Sequence, residues 1–202
     1  DLSFFGENHP EVASGYYNIG YVYFAQGDYS KALEYFEEVL KIRLSVYGEN
    51  HSRVASVYND IGEIYSVQGD DFKALDYFKK SLKIVLSVYG ENHSQVSSIY
   101  DHIGEIYFAQ KDYSKALYYF EESLKIRLSL FGENHPEVAL SYYSIGSLYI
   151  IQGDKSKALN YYEKSLKIRL SVYGENHPLT KEIMDLINVA NSKVLQSPET
   201  TK

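Results

Sequence analysis

The stretch GENHPEVA at residues 132–139 decides how this chain folds, because its first four letters recur at a fixed interval. GENH opens at Gly6, Gly48, Gly90, Gly132 and Gly174, and each opening lies 42 residues after the one before. A glycine followed by polar residues is typical of a loop, and a loop that returns at a constant interval indicates a stack of equal units. The 202 residues therefore hold four repeats and a further partial one.

Each repeat carries the same apolar stripe after its GENH loop. In the first repeat the stripe is Tyr16, Ile19, Gly20 and Tyr23, and its spacing predicts one face of an α-helix. Glycine within a helix costs about 1 kcal/mol. Its return as Gly62, Gly104 and Gly146 predicts that another helix packs too closely there for a side chain. We expect the small residues of that second helix to be Ala32, Ala74, Ala116 and Ala158.

Turn and cap residues divide each repeat into two helices. Gly27, Gly69 and Gly153 predict left-handed ends of the first helices, and Lys111 in the third repeat is expected to strain that turn. The next GENH glycine is expected to end the second helix in a left-handed conformation, and the Asn or His of the loop to cap the helix that follows. The predicted helices lie near residues 10–26, 29–46, 52–68, 71–88, 94–110, 113–130, 136–152, 155–172 and 178–195.

The stripe, followed nine residues later by Ala-x3-Phe as in Ala32 and Phe36, resembles the tetratricopeptide repeat. The long repeats joined by GENHPEVA-like loops are similar to kinesin light chain and related arrays. This resemblance implies an all-α fold, a right-handed α-solenoid over residues 6–190. We expect four helix pairs, at residues 6–47, 48–89, 90–131 and 132–173. A C-terminal capping helix is expected at residues 174–195. Residues 1–5 are expected to be the end of a preceding repeat helix, and residues 196–202 a disordered tail.

Composition narrows the classes of function. The net charge is −7 and no stretch is rich in Lys or Arg, so we do not expect a nucleic-acid partner. The chain has no cysteine, which excludes disulfides and thiolate chemistry within it. No apolar run is long enough to span a membrane and the sequence opens with no secretory leader, so we expect a cytoplasmic location.

A row of side chains beside the packing stripe changes from repeat to repeat. By the resemblance, the first helices line the concave side of the solenoid, where peptides bind. The row is aromatic or apolar at its ends and acidic in its middle, although drift on an exposed surface would also vary it. We expect a peptide-binding groove made of Tyr17, Asn18, Tyr21, Phe24, Asn59, Asp60, Glu63, Ser66, Asp101, His102, Glu105, Phe108, Tyr143, Ser147 and Ile150.

These residues favour a protein–protein interaction module that binds a partner peptide with Lys or Arg opposite the acidic centre and apolar residues towards its ends. The alternative is a regulatory or scaffolding spacer of a larger protein. Such a spacer would pack on its own effector domain or self-associate end to end through an apolar end that includes Phe4 and Phe5.

Enzymatic interpretations find little support in the sequence. The loop histidines His9, His51, His93, His135 and His177 stand a full repeat apart, too far for a shared metal with ligands at about 2 Å, so we expect them to act as caps. His102 is out of register beside Asp101, which is more typical of a polar groove contact than of a metal ligand. The chain has no phosphate-binding loop, H-E-x-x-H or G-x-S-x-G. We therefore predict a non-enzymatic chain without cofactor or metal.

Overall fold

The computed structural model describes residues 9–192, and within this range the chain forms nine α-helices and no strand. The helices are α1 Pro10–Ala25, α2 Tyr29–Tyr47, α3 Ser52–Val67, α4 Asp71–Tyr89, α5 Ser94–Ala109, α6 Tyr113–Phe131, α7 Pro136–Ile151, α8 Lys155–Tyr173 and α9 Pro178–Ser192. Each predicted end inside this range is confirmed to within one residue. The expectations for residues 1–5, including Phe4 and Phe5, for the loop at Gly6 and for the tail at 196–202 lie outside the described residues.

The chain divides into two compact units, which we call unit 1, ending at Ile106, and unit 2, beginning at Tyr107. In unit 1, α1 packs on α2, α2 on α3 and α3 on α4. In unit 2, α6 packs on α7, α7 on α8 and α8 on α9. Neighbouring helices thus pack in chain order, which confirms the all-α class of tandem helix pairs. The repeat boundaries at residues 6, 48, 90, 132 and 174 stay a prediction.

Apolar side chains at helical spacing form a core in each unit. The unit 1 core includes Phe36, Val57 and Ile61, and the unit 2 core includes Phe120 and Ile145. Burial of such side chains is the main favourable contribution to folding. The packing stripe of the first helices therefore lies against the second helices, as the sequence pattern predicts, apart from Ile19 of α1, which is 40% exposed.

A stacked tyrosine pair recurs in every helix pair and accounts for part of the high tyrosine content. Tyr23 stacks on Tyr35 with ring centroids 5.5 Å apart. Lys31 holds its Nζ 4.9 Å from the Tyr23 ring and pairs with Asp28 at 2.8 Å. The pair joins the two helices of a repeat at the end that carries the short turn. The equivalent stacks join Tyr65 to Tyr77, Tyr107 to Tyr119 and Tyr149 to Tyr161.

Each GENH loop from Gly48 onwards stops one helix and starts the next, as predicted, but its glycine adopts an unexpected conformation. Gly48 has φ 76° and ψ 173°, a combination accessible almost only to glycine, instead of the left-handed helical one. The His51 Nδ1 accepts the N–H of Arg53 at 3.1 Å, and its ring stacks on Tyr47 at 4.5 Å. The same cap is made by His9, His93, His135 and His177, so the capping prediction is confirmed.

The stripe glycines lie against an aromatic ring of the second helix. A Cβ on Gly62 would lie 2.9 Å from Phe78, and one on Gly146 would lie 2.7 Å from Tyr162. The predicted close contact is confirmed at these positions. The group nearest to each of these glycines is the aromatic ring of the Ala-x3-Phe motif, whereas the sequence predicted the alanine. The alanines of the motif are buried.

Lys111 is the one non-glycine residue of the described range with positive φ, at 62°. Its counterparts Gly27, Gly69 and Gly153 have φ values of 77°, 77° and 82°. A side chain in this region clashes with the following peptide, which costs about 1–2 kcal/mol. The strain predicted from the sequence is therefore located at this turn.

Gly62→Ala is expected to lower the free energy of unfolding by about 1–2 kcal/mol, because the new methyl group would overlap the buried Phe78 ring. Gly15→Ala is the matched control. Gly15 lies within α1, and a Cβ there meets no described atom within 4 Å. That substitution should raise the free energy by about 0.5–1 kcal/mol through helix propensity alone. Urea denaturation measures both, and equal effects of the two changes would contradict the close contact.

Lys111→Gly is expected to raise the free energy of unfolding by about 1 kcal/mol, because it removes the Cβ from a turn with positive φ. In a chain of this size the melting temperature should rise by about 2–4 °C. Lys111→Ala keeps the Cβ and serves as the control. An equal rise in the alanine variant would show that the lysine side chain, and not the backbone conformation, is responsible.

Candidate functional site

The first helices of unit 1 bring several predicted groove residues onto one connected surface. The hydroxyl of Tyr17 in α1 donates a hydrogen bond to Asp60 in α3. Glu63 in α3 holds its Oε1 3.8 Å from the His102 Nε2 in α5. We call the side chains that meet here the first-helix surface; they are Tyr17, Tyr21, Asn59, Asp60, Glu63, His102 and Glu105.

One end of the first-helix surface is aromatic. The Tyr17 ring lies 5.4 Å from Tyr21 and 5.5 Å from the buried Phe36. Tyr21 remains 46% exposed. A small hollow lies beside it, lined by Tyr21, Phe24, Phe36, Asp60 and Glu63. The hollow, of about 10 Å³, joins an apolar wall to two carboxyl groups.

Asp60 is buried, contrary to the expectation of an exposed carboxylate, and only 8% of its surface is exposed. Its pKa is raised to about 7, mainly by burial and in smaller part by the nearby charge of Glu63. The hydrogen bond from Tyr17 and the charge of Arg43 lower the pKa in part. The sequence pattern did not show this depth because the covering groups come from α1 and α2.

Glu63 and Glu105 continue the acidic part of the surface. Burial raises the pKa of Glu63, while the Asn59 Nδ2, which donates to Glu63 Oε1 at 2.6 Å, lowers it in part. The pKa of Glu105 is raised by partial desolvation first, then by the charges of Asp101 and Glu63. Carboxyl groups with raised pKa values on one surface indicate a local excess of negative charge held away from water.

The other predicted groove residues have less connected positions. Asn18 is exposed and Ser66 is half-buried. His102 packs its ring on Phe78 at a centroid distance of 5.0 Å, which fits a polar contact beside the core. The negative charge of Asp101 raises the pKa of Glu105. Participation of these residues in binding stays a prediction.

Within unit 2 the predicted residues are bound up in internal contacts. The Tyr143 hydroxyl lies 3.1 Å from Glu182 Oε1 of α9, and the Arg169 guanidinium lies 4.9 Å above the Tyr143 ring. Ser147 donates to the Tyr143 carbonyl at 2.9 Å. Phe108 packs on Tyr113 and Ile150 is partly exposed. In unit 2 the predicted groove residues therefore contact other parts of the same unit.

Sequence reasoning missed a register of arginines in the second helices. Arg43, Arg127 and Arg169 stand at equivalent positions of the first, third and fourth repeats, and Val85 takes that position in the second. Arg43 Nη1 donates to the Arg53 carbonyl at 2.8 Å and to Ser56 Oγ at 3.0 Å. Aligning the repeats at 42 residues would have revealed the replacement by valine.

Arg127 and Arg169 are each only 4% exposed and are held by groups of the following helix. Arg127 donates to Ser141 Oγ at 2.8 Å and pairs with Glu137 at 3.0 Å. Arg169 donates to the Leu179 carbonyl and lies 3.4 Å from Glu182. A guanidinium at this position is therefore a recurring polar connection between a second helix and the next first helix.

Two further features of residues 9–192 bear on function. Their His, Asp and Glu side chains form no group of three or more that could hold a metal ion. None of their helices is long and apolar enough to span a membrane.

Comparison with known proteins shows clear relatives in fold. The family profile described as Tetratricopeptide repeat matches residues 2–45, 11–84, 53–129 and 95–171. BtubC (BKLC) from P. vanneervenii is similar in structure, with a TM-score of 0.74 and 27% identity over 84% of this chain and 67% of that one. A search of curated proteins by sequence found no match.

Two more distant structures share the fold. The nearly identical TPR-like repeats of a kinesin light chain-like protein from Podosopora anserina give a TM-score of 0.71 and 16% identity, covering 94% of this chain and 99% of that one. The apo form of RapI gives 0.76 and 18%, covering 91% of this chain and 64% of that one. At these identities the similarity concerns the fold alone.

Asp60→Asn is expected to stabilise the protein at about pH 8 and to leave its stability nearly unchanged at about pH 4. The pKa of about 7 in the folded state lies above the ordinary 3.8, so the unfolded chain loses the proton first and ionisation favours unfolding. Stability of the unchanged protein should therefore fall as the pH rises between these two pKa values. The whole effect is at most about 4 kcal/mol.

Urea denaturation at a series of pH values measures this difference between the two proteins. It should widen from about pH 4 to about pH 7 and then stay constant. Asp185→Asn, at an exposed position of α9, controls for the loss of one negative charge. A gap that did not vary with pH would contradict the raised pKa of Asp60.

Proposed function

We propose that this chain, which belongs to the tetratricopeptide repeat family, holds a basic segment of a partner protein against the first-helix surface. The repeats of this family form interaction scaffolds that are not catalytic, and protein partners are their usual ligands. The proposal adds a location in unit 1 and a chemistry for the partner. The segment would carry Lys or Arg opposite Glu63 and Glu105 and an apolar side chain beside Tyr21 and Phe24.

The observation that carries the proposal is the group of carboxyls with raised pKa on one surface. Asp60, Glu63 and Glu105 are each partly or wholly withdrawn from water, and the positive charge of Arg43 lowers the pKa of Asp60 only in part. A cation brought to this surface would meet negative charge where water screens it weakly. Charge complementarity of this kind selects partners and speeds their encounter.

The aromatic end supports a second contact. Tyr21 is exposed and is braced from below by Phe36, with ring centroids 5.9 Å apart. Aromatic side chains that are held rigidly and remain accessible are common anchors in protein interfaces. An apolar residue of the partner that entered the hollow beside Tyr21 would fix the register of the basic residues that follow it. Both ends of the contact then depend on α1, α3 and α5.

Reversal of two charges tests the proposal. A peptide-display screen would first supply a binding peptide with central Lys or Arg residues. Glu63→Lys together with Glu105→Lys should then weaken that peptide by at least about tenfold, because like charges would face each other. Fluorescence anisotropy of the labelled peptide measures the change. The same peptide with Glu in place of its Lys and Arg residues should not bind the unchanged protein.

Glu34→Lys together with Glu37→Lys is the matched control. These residues lie exposed on α2, and their reversal changes the net charge by the same amount. Peptide affinity should change by less than about twofold at physiological salt, since exposed charges far from the contact are screened. Equal losses in the two double variants would indicate an effect of total charge only and would contradict binding at the first-helix surface.

A further inference from the structure

The second repeat departs from the first and fourth at two positions whose side chains contact each other in those repeats. In the first repeat the Arg43 guanidinium lies 4.8 Å above the Tyr17 ring, and in the fourth Arg169 lies 4.9 Å above Tyr143. The second repeat has Asn59 and Val85 at the equivalent positions. Both are much smaller than the residues they replace. Space that a tyrosine and an arginine fill in other repeats is therefore left between α3, α4 and α5.

This space is a half-open pocket of about 200 Å³. Its apolar wall is formed by Val85 and Ile99, and its polar wall includes Asn59, Asp60, Gln95 and Ser98. Asn59 and Asp60 also belong to the first-helix surface, so the pocket adjoins the proposed contact area. A ligand segment on that surface could place one long side chain in it.

Buried acceptor oxygens at the pocket residues lack hydrogen bonds within residues 9–192. They are Asn59 Oδ1, Asp60 Oδ2 and Gln95 Oε1. Asp60 is more than nine-tenths buried, and its hydrogen bond from Tyr17 leaves Oδ2 unused. The Asn59 Nδ2 donates to Glu63, so it does not serve as a donor to the acceptor oxygens of the pocket. Buried polar groups without partners are uncommon and call for a donor.

The chemistry of the pocket selects a cation with several donors. Asp60 is the acidic residue of its lining, while Arg43, the neighbouring cation, already donates to Ser56 and to the Arg53 carbonyl. A guanidinium presents five N–H donors in a planar fork, which suits acceptors that lie in different directions. An ammonium is a compact point charge and fits such a set less well.

We propose that this pocket binds the guanidinium group of an arginine side chain supplied by the partner segment. The arginine would make from outside the polar connection that Arg43, Arg127 and Arg169 make from within the chain. This inference rests on the proposed function, because it names one side chain of the segment held on the first-helix surface. It adds a specific preference for arginine over lysine at one position.

Val85→Arg tests the inference by supplying the guanidinium internally. The probe is N-acetyl-arginine amide, titrated at about pH 8, above the pKa of about 7 of Asp60. Amide resonances of Gln95 and Ser98 in the unchanged protein should shift and saturate with a Kd on the order of 1 mM, as expected for a fragment. The lysine analogue should bind several-fold more weakly, and the uncharged citrulline analogue should cause no saturable shift.

In Val85→Arg the arginine probe should lose at least about tenfold in affinity, while the melting temperature rises by about 2–4 °C. Asp60→Asn is a second variant, close in shape to the original residue, and it should also weaken the probe by about tenfold. Val85→Leu, which adds no donor, should keep most of the binding. Unchanged probe affinity in Val85→Arg, or the absence of saturable shifts in the unchanged protein, would overturn the inference.

Failure of this inference can be separated from failure of the proposed function. If a peptide with lysine as its only basic residue binds in a way that depends on Glu63 and Glu105, while the arginine probe causes no saturable shift, the pocket is overturned and the proposed function stands. If the arginine probe binds and Val85→Arg abolishes it, but no basic peptide binds, the proposed function is overturned and the guanidinium site stands.

Discussion

The contact between a glycine of α1, α3 and α7 and an aromatic ring of the helix that follows is the constraint on which the rest depends. At Gly62 and Gly146 the ring approaches so closely that a methyl group would overlap it, and at Gly20 a methyl group would lie 3.0 Å from Phe36. Two of these rings also support residues of the first-helix surface. Phe36 braces Tyr17 and Tyr21, and Phe78 supports His102. A change that moved the second helix outward would therefore also shift the aromatic and acidic groups of the first-helix surface.

Repetition lets each repeat serve as a reference for the others. The capping histidines, the stacked tyrosines and the stripe glycines recur because each makes the same contact in its own repeat. A position at which one repeat has a different residue type from the others is therefore easy to recognise. Position 85 is one such position, since three other repeats place a buried or half-buried arginine there and satisfy it with the following helix. The valine leaves the acceptors of the second repeat without that internal donor.

Much of the fold could be predicted from the sequence, and the reason is local. Helix ends, histidine caps and the positive φ of Lys111 depend on residues close together in the chain. The conformation of Gly48 was only partly predicted, because a terminating glycine indicates positive φ but does not fix ψ. The burial of Asp60 could not be predicted in this way. It results from Tyr17 and Arg43, which reach it from two other helices. Periodicity shows which side of a helix a residue occupies, whereas depth depends on what its neighbours place above it.

The raised pKa of Asp60 and the unpaired acceptors of the pocket beside it have the same cause, which is the withdrawal of these groups from water. A carboxyl group withdrawn from water and short of donors holds its proton more tightly, which disfavours the ionised folded state. The same desolvation makes an arriving cation more favourable there than on an open surface, because the low local polarity strengthens the attraction. By linkage, a bound guanidinium would lower the pKa of Asp60 and release its proton. An arginine at position 85 would satisfy the acceptors permanently, and the second repeat would then gain stability and lose its means of recognising an outside donor.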